Sequence, residues 1–189
     1  MPKAVFVVAA LAFVLRPAVS AAQTPATAGS SSPPSTLTAT DLKKVDIDAA
    51  VARGVAALAP GVLVNDRLAT LADMGKYNVA VAVVARPAGH DPRALSHDVV
   101  TEVYYILRGS GTQLTGKLTG GTHQNESATI GPGMSSNQPL QDAKSSKLGP
   151  GDIQIIPPGL GHAWSSIDPG GIEYLVFRID AEHKLTLPK

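Results

Sequence analysis

From residue 62 to residue 180 the sequence is a series of short runs rich in Val, Ile and Tyr, separated by Gly, Pro and Asn. The runs are VLVND, KYNVAVAVVARP, VVTEVYYILRG, GTQLTG, DIQIIPPG, HAWSSI and IEYLVFRID. β-branched and aromatic residues favour strands, and closely spaced turn residues leave no room for long helices. The pattern predicts an all-β sandwich or barrel.

The residues before this region differ in composition and divide into three predicted parts. Residues 1–22 combine Lys3, an apolar run of about 12 residues and the small residues AVSAA, the pattern of a secretory signal peptide. The apolar run is shorter than the roughly 20 residues that a membrane-spanning helix needs. Residues 23–40 are uncharged and rich in Ser, Thr and Pro, so we expect a disordered tether. Residues 41–74 are predicted to form an arm of one helix, over 41–58, and one strand, beside a barrel at 75–185.

The signal peptide predicts a secreted or periplasmic protein. The chain has no cysteine, so disulfides are impossible and the hydrophobic core has to hold the fold. Removal of residues 1–22 takes away Lys3 and Arg16, which leaves 14 basic and 15 acidic residues and a formal charge of −1. Because no basic patch stands out, we expect neither nucleic acid nor a stably inserted membrane as a partner.

Two stretches of the strand-rich region carry the scarce histidine and glutamate residues. The first contains His97 and Glu102, and the second contains His162 after the turn PPGLG. In a strand, side chains of the same parity share a face, so His97 and Glu102 converge only if a bend or bulge separates them. The turn-like segment 96–98 would provide that bend. A buried His–Glu pair that only satisfies its own hydrogen bonds is the alternative interpretation.

The spacing of these residues resembles the two motifs of the cupin superfamily, which are small β-barrels of jelly-roll type. The first family motif is Gly-x5-His-x-His-x3–4-Glu-x6-Gly, and the second is Gly-x5-Pro-x-Gly-x2-His-x3-Asn. Eight of the ten motif positions match: Gly89, His97, Glu102, Gly109, Gly151, Pro157, Gly159 and His162. Leu95 stands where the family has its first histidine, and Ser166 replaces the asparagine. The resemblance covers about 75–182 and implies an all-β, cupin-type jelly-roll β-barrel with a short N-terminal helical arm.

The resemblance also implies that His97, Glu102 and His162 bind one divalent metal ion. Two imidazoles and one carboxylate suffice for a mononuclear site with open positions, and the set fits Fe, Mn, Ni or Zn without choosing among them. Leu95 cannot coordinate a metal, so a metal-free pocket is the open alternative. Glu102 is in addition the candidate catalytic residue, as a proton carrier.

Parity suggests further pocket residues, each with an ordinary structural alternative. Leu95, Tyr104 and Trp164 are candidates for the substrate pocket, although Trp164 equally fits core packing. His90 and His123 are candidate replacements for the missing donor, but both fall in predicted surface loops. Gln154 and Arg178 either contact a ligand or face water on an outer strand face.

These observations lead to a hypothesis of an exported, small-molecule-binding cupin that holds a mononuclear divalent metal. It would act as a dioxygenase, isomerase or lyase on a small organic or sugar-like substrate. The alternative, favoured by Leu95, is a non-catalytic ligand-binding cupin without metal. A homodimer that exchanges the helix over 41–58 is a further expectation, since pairing would protect the edges of the sheet. The polar, glycine-rich stretch 118–148 is predicted to be one long loop.

Overall fold

The computed structural model describes residues 38–125 and 127–187. The predicted signal peptide and most of the predicted tether lie outside the described residues and stay predictions. Among the helices that the structure describes, none is long and apolar enough to cross a membrane. The elements are α1 (Lys44–Ala56), β1 (Asn65–Asp73), β2 (Asn78–Arg86), β3 (Ala94–His97), β4 (Val100–Lys117), β5 (Thr122–Gln124), β6 (Gly133–Ser136), β7 (Gln141–Leu148), β8 (Ile153–Ile156) and β9 (Gly161–Asp180).

The two longest strands, β4 and β9, determine the shape of the sheet. They pair antiparallel over two stretches, residues 100–109 with 172–180 and residues 111–116 with 161–167. Register shifts between the two stretches and within them bend both strands. Both strands therefore turn a corner, and the sheet curls around a common interior. The predicted all-β, jelly-roll class with a short N-terminal helix is confirmed.

Gly109 shows why the bend in β4 needs a glycine. Its φ is +70°, and a Cβ at this position would lie 2.0 Å from the carbonyl oxygen of Gly171. A side chain is excluded both by the left-handed backbone conformation and by the close approach of β9. Gly109, the last glycine of the first motif, therefore allows β4 to bend at the corner of the barrel.

The interior is filled by alternate residues of the long strands. Tyr104 and Ile106 of β4 pack with Trp164, Tyr174 and other residues of one buried cluster. The cluster also contains Ala82, Val84, Leu148, Ile156, Ile167, Ile172 and Val176. Glu102, His162 and Arg178 are also buried, and they occupy the same inward-facing parity of β4 and β9 as these apolar side chains. The period of two thus places the chemistry-bearing residues on the inside of the barrel.

The N-terminal arm, which consists of α1 and β1, packs against the barrel of its own chain. Val51 of α1 contacts Val83 and Leu175 on the outer face of the sheet, and β1 pairs antiparallel with β2. The helix predicted over 41–58 is shorter at both ends, since α1 spans Lys44–Ala56. The boundary between arm and barrel at 74/75 and the homodimer stay predictions.

The prediction of one long loop over 118–148 is wrong, because this stretch contains β5, β6 and β7. Within the described residues β7 pairs only with β4, and most of the residues of β7 are exposed. An exposed strand at an edge needs no apolar alternation, so its sequence resembles that of a loop. β6 matters for the site, because it pairs with β3 and places Gly133 opposite His97.

Candidate metal centre

Three strands bring the candidate ligands together. His97 is the last residue of β3, Glu102 is the third residue of β4, and His162 is the second residue of β9. The chain bends at Asp98 and Val99 between β3 and β4, so the bend required by parity is present. Behind His97, a Cβ on Gly133 would lie 2.0 Å from the carbonyl oxygen of Ser96. Glycine at 133 therefore allows β6 to approach the strand that carries His97.

The ligand atoms of His97, Glu102 and His162 all lie within 4.8 Å of one another. Nε2 of His97 is 3.4 Å from Oε2 of Glu102, and Nε2 of His162 is 3.5 Å from the same oxygen. Donors about 2.1 Å from a tetrahedral metal are separated by about 3.4 Å. The two distances from Oε2 of Glu102 to the histidine nitrogens therefore match the separation of donors on one ion.

His162 has the tautomer that a metal ligand requires. Its Nδ1 lies 3.2 Å from the carbonyl oxygen of Leu160, which can only accept, so Nδ1 donates its hydrogen and Nε2 carries a lone pair. Burial lowers the pKa of His162 to about 4, and His97 adds to the effect while Glu102 opposes it. The ring is neutral at pH 7. A backbone carbonyl that fixes the ring in this way is typical of metal-ligating histidines.

His97 supplies a buried nitrogen without a partner. Its Nε2 makes no well-formed hydrogen bond among the described residues, with Oε2 of Glu102 at the long distance of 3.4 Å, although the residue is only 4% exposed. Buried polar atoms in proteins are nearly always satisfied, so an orphaned nitrogen that faces a carboxylate oxygen and a second imidazole calls for a shared partner. A divalent cation fits these three donors.

Glu102 is held as a carboxylate by its neighbours. Burial alone would raise its pKa, but Arg178 and then the two histidines bring the pKa well below the usual range. Nε of Arg178 donates to Oε1 at 2.8 Å, and the hydroxyl of Tyr104 donates to Oε2 at 2.9 Å. Burial and Glu102 raise the pKa of Tyr104 well above its usual value, so the phenol keeps its proton. Oε2, supported by Tyr104, is the oxygen that faces the two histidines.

Arg178 connects the site to the rest of the barrel. Besides Glu102, it donates to both carboxylate oxygens of Asp66 and, at 3.0 Å, to the backbone carbonyl of Thr129. One guanidinium thus contacts two carboxylates, which leaves this buried group with a net charge of −1 when both are ionised. A divalent cation beside Glu102 would compensate that charge.

The remaining candidate residues have separate roles. Leu95 pairs directly with His162 across β3 and β9, so its side chain lies on the same face as the imidazole. Tyr104 reaches the site through Glu102. Trp164 belongs to the buried core cluster and donates to the hydroxyl of Tyr174 at 3.3 Å, and it also lines a cavity of about 220 Å³.

His90 and His123, the two candidate replacements for the missing donor, do not belong to the group formed by the three candidate ligands. His90 has its Nδ1 3.1 Å from the carbonyl oxygen of Ser165, and His123, in β5, lies 2.7 Å from Asp98. Neither replaces the donor lost at Leu95, because the group that the structure brings together in its described part contains only His97, Glu102 and His162. Gln154 lies partly buried on β8, opposite Tyr104.

Space at the site is small. His97, Glu102 and His162 are between 1% and 5% exposed. The cavity that reaches His97 and Leu95 measures about 10 Å³, close to the volume needed for one water molecule. This closed state holds an ion more readily than a large substrate.

Sequence reasoning underestimated Arg178 and did not find Asp66 or Gln113. Arg178 follows Tyr174 and Val176 at the inward parity of β9, a signal that an arginine faces the interior. Gln113 is fully buried, and neither its amide nitrogen nor its amide oxygen has a partner among the described residues. Leaving such a group unpaired costs about 1–3 kcal/mol, so Gln113 requires an explanation.

Comparisons with known proteins bear on the fold only. No protein-family profile and no curated protein sequence matches this chain. Similar solved structures include a double-stranded β-helix protein from Klebsiella pneumoniae, with a TM-score of 0.42 and 14% identity over 69% of this chain and 88% of that one. KdgF from Halomonas sp. has a TM-score of 0.39 and 13% identity, covering 64% of this chain and 82% of that one.

Oxalate decarboxylase from Bacillus subtilis has a TM-score of 0.39 and 19% identity, covering 56% of this chain and 22% of that one. The fold is an all-β jelly-roll barrel, and the residues of the two cupin-like motifs meet inside it. This assignment rests on the paired β4 and β9 and on the motif residues that meet inside the barrel, since similarities of this size carry no information about ligand or reaction. The resemblance found in the two motifs is thereby confirmed at the level of the fold.

The Arg178→Met variant is expected to lose about 3–5 kcal/mol of unfolding free energy, because it leaves the buried Glu102 and the partly exposed Asp66 without their guanidinium. Urea denaturation measures the loss. Lys44→Met is the control, since Lys44 forms a solvent-exposed pair with Asp48 and such pairs contribute about 0–1 kcal/mol. Equal losses in the two variants would contradict the central role of Arg178.

The stability of the metal-free protein is expected to fall between pH 6.5 and about pH 4 because of His162. The folded state keeps His162 neutral in this window, whereas the unfolded chain takes up a proton, so stability is present above pH 6.5 and is lost as the pH falls through the folded pKa. The effect is about 3 kcal/mol, since each pKa unit corresponds to about 1.4 kcal/mol. Urea denaturation across the window tests it, and a His162→Gln variant with an undiminished slope would refute it.

Proposed function

We propose that this protein is a metal-binding cupin in which His97, Glu102 and His162 hold one divalent ion inside the barrel. The observation that carries the proposal is the orphaned Nε2 of His97, which faces Oε2 of Glu102 beside the lone pair of His162. The neutral state of His162, the ionised state of Glu102 and the net charge of −1 around Arg178 all support a cation at this point.

The bound metal would supply Lewis-acid chemistry or, if redox-active, oxygen chemistry. The protein contributes a buried interior, the imidazole of His97, the imidazole of His162 oriented by the carbonyl of Leu160, and a carboxylate fixed by Arg178 and Tyr104. Because its pKa lies well below the usual range, Glu102 is a weak base at neutral pH. Its surroundings therefore favour a ligand role over the proton-carrier role predicted for it.

For the reaction, we propose the class expected from the sequence, a dioxygenase, isomerase or lyase that acts on a small organic or sugar-like molecule. The support is the number of donors, since three protein ligands leave coordination positions open. The substrate has to be small or has to enter with a movement of the chain, because the cavity at His97 holds only about 10 Å³. Turnover screens with the metal-loaded protein test this class, and uniformly inactive preparations that retain metal would argue against it.

A metal-free ligand-binding cupin is the second candidate, and Leu95 is the observation that favours it. Leu95 occupies the position directly across from His162, where a further imidazole would complete a four-donor set. Loss of that donor weakens affinity, and a site that no longer binds metal would retain a buried polar pocket. Metal analysis separates the two candidates.

Purified full-length protein is expected to bind one equivalent of Zn²⁺, Mn²⁺, Ni²⁺ or Fe²⁺, measured by elemental analysis after dialysis. His162→Ala should lose the metal because it removes one of three ligands, whereas His123→Ala should retain it, since His123 is paired with Asp98 away from the set. Protein that binds no metal at millimolar concentration would establish the metal-free alternative.

Leu95→His extends the same measurement. An imidazole placed opposite His162 adds a fourth donor, so the affinity is expected to rise about tenfold, or about 1.4 kcal/mol, or more. Leu95→Gln serves as the control for polarity without an imidazole. Unchanged affinity in the histidine variant would show that position 95 does not face the ion.

We also propose that residues 1–22 direct export and are removed. The support is the combination of Lys3, the apolar run and the small residues of AVSAA. Protein recovered from the periplasm or medium of an expressing bacterium is expected to begin at Ala22 or Gln23, as read by N-terminal sequencing or intact mass. A cell-associated protein that retains Met1 would overturn the export proposal.

A further inference from the structure

β8 (Ile153–Ile156) is an edge strand that exposes apolar side chains. In the part of the chain that the structure describes, it pairs with β4 alone. Ile153 is 63% exposed and Ile155 is 67% exposed, and Tyr105, which lies opposite Ile153 on β4, is 38% exposed. The strand therefore presents apolar surface and an open row of backbone groups at the same place, which is the arrangement that invites pairing with another chain.

β7, the other strand that pairs with β4 alone among the described residues, is built differently. It carries Asp142, Lys144 and Lys147, and Asp142 has a left-handed backbone conformation with a φ of +53°. Charged side chains, lysine above all, and irregular backbone protect an edge from pairing with another chain. β8 has no charged residue and pairs with β4 without a register shift. The sheet therefore protects one of these two edges and leaves the other ready to pair.

The hydrogen bonds to β4 show which backbone groups of β8 face the open edge. Ile106 donates its N–H to the carbonyl of Asp152 and accepts from the N–H of Gly151, so its backbone groups point toward β8. The direction of the backbone groups alternates along a strand, so those of Tyr104 also point toward β8, where Gln154 is the partner residue. The backbone groups of Gln154 are therefore used in the pairing with β4.

The residues on either side of Gln154 direct their backbone groups to the open edge. These residues are Ile153 and Ile155, the two exposed isoleucines. A second, antiparallel β8 can form hydrogen bonds with both of them when Ile153 of one copy lies opposite Ile155 of the other. This register is symmetric about a two-fold axis at Gln154, so the same surface serves both copies, as in a closed dimer.

Gln154 supplies an independent observation at the centre of this register. Its side-chain Oε1 is buried and has no hydrogen-bond partner within the described residues. In the symmetric register the two copies of Gln154 lie directly opposite each other, and an amide both donates and accepts hydrogen bonds. When the two side chains turn toward the axis, each amide donates to the other. The second copy thereby satisfies an atom that a single chain leaves unpaired.

We propose that a second copy of this chain docks on β8, so that two antiparallel β8 strands join their sheets across a two-fold axis centred on Gln154. Ile153 and Ile155 of both copies then form one apolar row on the outer face. The interface exchanges no helix, since α1 packs on its own chain, and it does not depend on metal. β8 spans only about 13 Å, so the contact is smaller than the roughly 800 Å² per partner of a stable dimer, and the dimer dissociates on dilution.

Sedimentation velocity of the purified protein over a concentration series tests the proposal, and a monomer–dimer equilibrium is the expected result. Ile155→Lys should raise the dissociation constant at least tenfold, because it places two charges among the four isoleucines. Val45→Lys is the matched control and should leave the constant unchanged, since Val45 is 71% exposed on α1 and lies outside the interface. Protein that stays monomeric up to millimolar concentration overturns the proposal, and so does a dimer that Ile155→Lys leaves intact or that both variants weaken equally.

A cysteine cross-link tests the register itself. The chain has no cysteine, so Gln154→Cys adds a single thiol. The two copies of residue 154 form a non-hydrogen-bonded pair with Cα atoms about 4.5 Å apart, a separation that a disulfide can bridge. Oxidation with diamide should convert this variant to a covalent dimer on non-reducing gels, whereas Ser145→Cys on exposed β7 should remain monomeric. Absence of a covalent dimer for Gln154→Cys, or equal cross-linking of the two variants, would show that the proposed interface is wrong.

Discussion

The buried guanidinium of Arg178 is the interaction on which the interior depends. It contacts Glu102 on β4, Asp66 on β1 and the backbone carbonyl of Thr129 in the turn before β6. Three separate parts of the chain thereby meet at one charge. A cation that is 2% exposed and fully paired stabilises this arrangement only while all its partners are in place, since a buried charge that loses its partner is costly.

This interaction also gives the candidate metal centre its electrostatic character. Glu102 is kept ionised by Arg178 and the histidines, and its position is fixed at both oxygens, by Arg178 on one and Tyr104 on the other. His162 is kept neutral by burial and oriented by the carbonyl of Leu160. A carboxylate and a neutral imidazole are the forms in which these residues bind metals. The surroundings thus prepare both side chains for an ion, with Leu95 limiting the number of donors.

Much of the fold and part of the site could be predicted from local pattern. The runs of Val, Ile and Tyr predicted an all-β fold, and the resemblance to the two cupin motifs implied that His97, Glu102 and His162 meet, which the structure shows by bringing their ligand atoms within 4.8 Å of one another. The 118–148 prediction failed because β7 pairs on one side only and is exposed, so its pairing depends on backbone hydrogen bonds that leave no apolar signature. Gln113 was missed because a lone glutamine in a strand gives no indication of whether its amide finds a partner.

The sequence by itself determined the strand-rich class, a glycine at motif position 109 and the three candidate ligands, because these follow from residue type and from the two motifs along the chain. Only the tertiary structure decided that Arg178 faces Glu102, that Asp66 shares its charge, and that His97 and Gln113 are left with unpaired atoms. These facts depend on which strands become neighbours when the sheet closes. Residues as distant in sequence as 66 and 178 come into contact there, and no local pattern records such a pairing.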